Sequence, residues 1–138
     1  GAADAMRRAL ADAGAAPEQI EYVNAHGTST PQGDPSEATA MKLIFGTRQP
    51  LISSTKSSTG HAIGAAGSLE AIYTVMMMRG GFVAPNLNLH NLERGCEHLN
   101  VATQPGIAHE IPFALSNSFG FGGTNSCLVL KRWDGLAT

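Results

Sequence analysis

The sequence predicts an α/β fold, a mixed β-sheet flanked by helices, and three features of the chain predict it. Segments with helical spacing alternate with short β-rich ones, and the last two β-rich segments face each other across a glycine-rich turn. Each of three polar clusters falls at the end of a predicted strand, which is where open α/β sheets hold ligands. With 138 residues, the chain is long enough for one domain with one core, and residues 1–138 are read as that domain.

Ala2 to Ala13 is alanine-rich with Met6 and Leu10 at helical spacing, and Gly14 is its expected stop. Pro17-Glu18 marks a turn, and Ile20 to Ala25 is a strand running into the aperiodic polar loop His26 to Pro31. Gly33-Asp34-Pro35 opens a helix that ends at Gly46, with Asp34 expected as its N-cap. Leu51-Ile52 is a short apolar entry to the polar run that carries Lys56 and His61. The helix from about Ala62 to Met78 follows, apolar around its whole circumference except for Glu70, and such a helix is expected to be buried. Gly80-Gly81 closes it, Phe82 to Leu89 is extended, and His90 to Gln104 is loop-like. Phe113 to Asn117 and Ser126 to Trp133 are strands on either side of the glycine-rich turn Ser118 to Asn125.

Composition narrows the function. Charged residues make up 14% of the chain against roughly 25% for an average soluble protein, so it should bury surface against a partner chain or a further part of its own. A net charge of -2 argues against a nucleic-acid or anionic-membrane surface. No apolar run is long enough to span a membrane, and no signal peptide is recognised. Two cysteines, Cys96 and Cys127, make no disulfide framework and have no zinc-ligand spacing; a reducing, cytoplasmic setting is the expectation.

The candidate chemistry lies in the three clusters, Asn24–Thr30, Ser54–His61 and Ser116–Asn125. His26 and His61 each adjoin a glycine, so backbone there can approach a ligand, and a neutral imidazole N–H can hold an oxyanion. Neither histidine has a second metal ligand at helical spacing. His90, His98 and His109 sit in polar sequence and are read as surface residues. A carboxylate at Glu70 on an apolar helix needs a cation, and Lys56 is the nearest candidate. Nine residues separate His61 from Glu70, half a turn out of phase, so His61 must precede the regular helix if both face one site. Gly120-Phe121-Gly122-Gly123 is followed by a strand rather than a helix, against a phosphate loop; it suits a mobile turn presenting Phe119 and Phe121.

These clusters carry a resemblance. N-A-H-G-T-S-T-P-Q-G-D (Asn24–Asp34), T-K-S-S-T-G-H-A-I-G-A-A-G (Thr55–Gly67) and S-N-S-F-G-F-G-G-T-N (Ser116–Asn125) resemble the three C-terminal signatures of the β-ketoacyl-acyl-carrier-protein synthases. The stretch Gly81–Leu89 looks closer to the type I synthase of dissociated fatty-acid synthesis than to type II. The resemblance implies the C-terminal half of a thiolase-type fold and a decarboxylating Claisen condensation in fatty-acid biosynthesis. It implies catalytic roles for His26, His61 and Lys56, with Glu70 supporting Lys56. Thr28 and Thr30 would bind the phosphopantetheine arm, Phe119 and Phe121 would form a gate, and Asn24, Glu37, Ser116 and Asn117 would surround a structural cation. The chain would need no cofactor beyond the phosphopantetheine on its acyl carrier protein partner, and the intact enzyme would be a homodimer.

One element of that pattern is missing. The family's nucleophilic cysteine belongs to the N-terminal half, and neither Cys96 nor Cys127 has the setting of a nucleophile. The chain should therefore be inactive alone. The alternatives are a polyketide ketosynthase domain or a non-catalytic chain-length partner; a thiolase acting on coenzyme A esters would need a cysteine in the glycine-rich turn.

Overall fold

The computed structural model describes residues 1–103, 105–133 and 135. Its centre is a five-stranded sheet in the order β4-β2-β1-β6-β7, built from β1 (Tyr22–Asn24), β2 (Leu51–Ser53), β4 (Asn100–Val101), β6 (Phe113–Phe119) and β7 (Asn125–Lys131). The first four run parallel and β7 returns antiparallel to β6, so the sheet is mixed as expected. A separate two-stranded ribbon pairs β3 (Phe82–Val83) with β5 (Ile107–Ala108).

Alternation along each strand sends successive side chains to opposite layers. Val23, Ile52 and Leu115 meet Met6 and Leu10 of α1 (Ala2–Ala13) and Met41 and Phe45 of α2 (Gly33–Phe45). On the other face, Tyr22, Leu51 and Ala114 meet Met77 and Met78 of α4 (Ala66–Gly80). A single-turn helix, α3 (Lys56–Thr59), lies between β2 and α4.

Several boundaries differ from the sequence-based expectation. Helix α2 starts one residue before Asp34, because Thr30 Oγ1 accepts the Gly33 N–H at 3.1 Å and its carbonyl accepts the Asp34 N–H; Asp34 sits in the first turn instead of capping it. Helix α4 starts at Ala66 after a 3₁₀ turn over Ile63–Ala65, and in that turn Ile63 holds a left-handed φ of 50°. Only Phe82–Val83 of the extended stretch pairs as a strand, and the loop after it contains β4. Strand β6 runs on to Phe119, which shortens the glycine turn.

Burial of α4 is the larger correction. Its Glu70, Thr74, Met77 and Met78 face is covered, but Ile72 is 55% exposed and Met76 60%. The described residues cover this helix on one side and leave the other open. Among the described residues no helix is long and apolar enough to cross a membrane.

Candidate active site

The three polar clusters leave the same edge of the sheet. Asn24 is in register with Ser53 on one side and Ser116 on the other, so the loops after β1, β2 and β6 emerge side by side. Parallel pairing therefore gathers residues that are far apart in the sequence.

The loop after β1 is clamped from beneath. Glu37, on the buried face of α2, accepts the backbone N–H of His26 at 3.0 Å and of Gly27 at 2.9 Å, and a third hydrogen bond from Asn117 Nδ2 at 3.0 Å. Burial pushes its carboxyl pKa up, and those three donors oppose the shift. Gly27 has no alternative residue: its φ is +36°, and a Cβ there would stand 2.7 Å from Ser54 Cβ. Ser54 Oγ in turn donates to the Gly27 carbonyl at 2.9 Å, tying the first loop to the second.

The second loop carries Lys56, which is buried and ion-paired with the buried Glu70. Beneath it, Asn24 is fully buried. Its Oδ1 takes the Thr55 N–H and its Nδ2 lies 3.3 Å from the Glu70 carbonyl and 3.2 Å from Thr74 Oγ1. His61 precedes α4, as the phase argument required, and its ring meets that of His26 edge-on, with centroids 5.7 Å apart and planes at 87°. The Ile63 N–H donates to His61 Nδ1 at 3.2 Å, so a neutral His61 carries its proton on Nε2. That bond also helps hold the unfavourable φ of Ile63, a β-branched residue.

His26 pKa is pushed down from 6.5 to about 4, first by burial, then by the Lys56 charge and then by His61. It is neutral at ordinary pH, and its Nδ1 is buried without a partner among the described residues. Phe119, at the end of β6, packs at 5.8 Å from it. Phe121 projects fully into solvent, so of the two expected gate residues only Phe119 touches a histidine.

A cleft of about 440 Å³ opens beside these groups, lined by Thr28, Thr30, Lys56, Ser57 and His61 at the polar end. Leu99, Val101 and Cys96 form part of its apolar wall. Thr28 and Thr30 hydroxyls lie 3.4 Å apart at its rim. Cys96 is buried and its pKa raised by burial, then by nearby carboxylates; Cys127 is pushed up to about 12 by burial, then by Glu37. Both thiols stay protonated and are poor nucleophiles.

The side chains of Asn24, Glu37, Ser116 and Asn117, the expected cation set, divide between the two faces of the sheet. Asn24 faces α4, and Ser116 is its register partner on that face, whereas Asn117 reaches Glu37 on the α2 face, with the sheet between the two pairs. Of the histidines read as surface residues, His98 is half-buried on the Ala38 carbonyl at 2.9 Å, and His109 lies 3.7 Å from Glu21. Sequence reasoning also missed Asn86, whose amide joins Ser54 to Ala102; an asparagine in an extended stretch gives no signal of that.

Comparison with known proteins shows the family. Residues 1–90 match the model of the β-ketoacyl synthase C-terminal domain. The chain is 52% identical over 138 residues to 3-oxoacyl-[acyl-carrier-protein] synthase 2 of Vibrio cholerae, covering 96% of the chain and 33% of that protein. It is 47% identical over 135 residues to synthase 1 of Haemophilus influenzae, covering 98% and 32%, so identity does not single out the synthase 1 type. A β-ketoacyl synthase from Burkholderia phymatum superposes with a TM-score of 0.91 at 43% identity, covering 95% of the chain and 32% of that structure. The chain thus spans about a third of the length of the curated relatives it matches.

Proposed function

The chain belongs to the β-ketoacyl synthase family, and from that membership we propose that it carries the decarboxylation half of a 3-oxoacyl-[acyl-carrier-protein] synthase site. The reaction is a decarboxylating Claisen condensation. Malonyl-carrier protein loses CO2 when the bond to its carboxylate breaks and the electron pair passes into the thioester as an enolate. The α-carbon then attacks an acyl-cysteine, expelling the thiolate and leaving 3-oxoacyl-carrier protein.

The part assigned to this chain is the enolate. Charge develops on the thioester oxygen only as CO2 leaves, so donors aimed at that oxygen stabilise the transition state more than the substrate. His61 offers Nε2–H because Ile63 occupies its other nitrogen. His26 offers a neutral ring because burial and Lys56 disfavour a second proton. Lys56, fixed by Glu70, contributes positive potential at the same place. Thr28 and Thr30, at the cleft rim, would hydrogen-bond the phosphopantetheine arm, and Phe119 would shield the histidines from water. The acyl-bearing cysteine would come from outside these residues, since both thiols here are held protonated. The protein would work on acyl carrier protein in a reducing cytoplasm, as part of a homodimer.

The observation that carries this reading is the approach of the His26 and His61 rings to 5.7 Å beside a buried lysine. Retention of all three groups also favours it over a non-catalytic chain-length partner. The test uses the full-length synthase: His26→Ala and His61→Ala should abolish decarboxylation of malonyl-carrier protein while acylation of the enzyme persists. Normal decarboxylation in both variants would overturn it.

A further inference from the structure

Helix α3 is a single turn of four residues, too short to hold its own shape. Lys56 is its first residue; Glu70 holds the ammonium group itself, and the place of the backbone that carries it depends on what fixes the turn from outside. Asn24 does so from below through Thr55. The second hold comes from a segment that neither catalytic motif includes.

Asn86 lies in the stretch between β3 and β4. Its Oδ1 accepts the Ser54 N–H at 2.9 Å, and its Nδ2 donates to the Ala102 carbonyl at 3.1 Å. The two contacts demand opposite ends of the amide, so its orientation is fixed. The Asn86 N–H also donates to Ala102 at 3.0 Å, and the Ala102 N–H to Ile52 at 2.8 Å, so Asn86 stands on the sheet itself. The next residue closes the clamp: the Leu87 N–H donates to Ser57 Oγ at 3.0 Å, and that hydroxyl donates to the Ser54 carbonyl at 3.0 Å. Ser54 and Ser57, on either side of Lys56, are thus both bound to residues 86–87. We propose that Asn86 is a positioning residue of the synthase reaction, holding the β2–α3 turn so that the Lys56 ammonium stays beside the histidine pair.

This rests on Lys56 and His26 belonging to the synthase site, and the test separates the two ideas. In the full-length synthase, Asn86→Leu keeps the side-chain size and removes both amide bonds, while Ser57→Ala releases the other end. Each should lower kcat for malonyl-carrier-protein decarboxylation by roughly tenfold or more with KM nearly unchanged, as displacing a catalytic group does. The double variant should lose less than the product of the two, because both act on one turn. His26, followed by NMR titration, should move upward from its low value as the nearby ammonium drifts away. An unchanged kcat, or a fall in kcat with an unmoved His26 titration, would overturn the proposal. Should Asn86→Leu not fold, Ser57→Ala alone reads the same two quantities, and the same results support or overturn the proposal. A Lys56→Met control that decarboxylates normally would instead overturn the reading of the site, and this proposal with it.

Discussion

His26 stays neutral in the folded chain down to about pH 4, whereas the same ring released by unfolding takes a proton near 6.5. Acid therefore binds the unfolded state preferentially. Stability should fall as pH drops from about 6.5 to about 4 and level off below, with no contribution from this group above that window. NMR titration of His26 near 4 in the full-length synthase checks the premise, and a midpoint near 6.5 would sink it. Glu37 makes a second prediction at this scale. Replacing it with alanine strips three donors of their acceptor, the buried Asn117 amide and the half-buried backbone of His26 and Gly27. At about 1–3 kcal/mol for each unsatisfied group, the loss should be several kcal/mol, read from the denaturation midpoint.

Between α3 and α4 the decisive link is the Lys56–Glu70 pair, which ties a one-turn helix to its neighbour through two buried charges. Glu70→Ala leaves a buried, unpaired ammonium and should destabilise by roughly 3–5 kcal/mol; Glu70→Ala unfolding at the wild-type denaturant concentration would contradict that. The pair was legible in the sequence because one carboxylate interrupts an apolar helix, and so was the placement of His61 before that helix, from a phase difference of half a turn. The start of α2 was not: Asp34 has the right chemistry for an N-cap, but Thr30 has it too, and its hydroxyl and carbonyl take the Gly33 and Asp34 donors a residue earlier. The split of Asn24 from Asn117 was only half legible: successive residues such as Ser116 and Asn117 take opposite faces, but which of them shares a face with Asn24 depends on the pairing register. The exposure of Ile72 and Met76 escaped for a related reason: periodicity reports an apolar surface and says nothing of what covers it.

As a whole, the described residues hold a histidine pair, a buried lysine and a cleft of mixed polar and apolar lining, without a competent thiolate. The purified 138-residue chain should yield no 3-oxoacyl product from acyl- and malonyl-carrier protein, and measurable product would refute that. It should also self-associate through the strip formed by Ile72, Val75 and Met76, and Met76→Glu should lower the sedimentation coefficient at high concentration. The strand order β4-β2-β1-β6-β7 has one more implication. The middle strand is laid down first, and both of its flanks come later in the chain, β2 soon after and β6 near the end. The groups from His26 to Phe119 come together only when β6 takes its place beside β1, so a ribosome must pass Phe119 before the whole site can exist. Removing β6 and β7 should therefore strip β1 of one of its two neighbours and abolish the site outright rather than leave a weakened remnant.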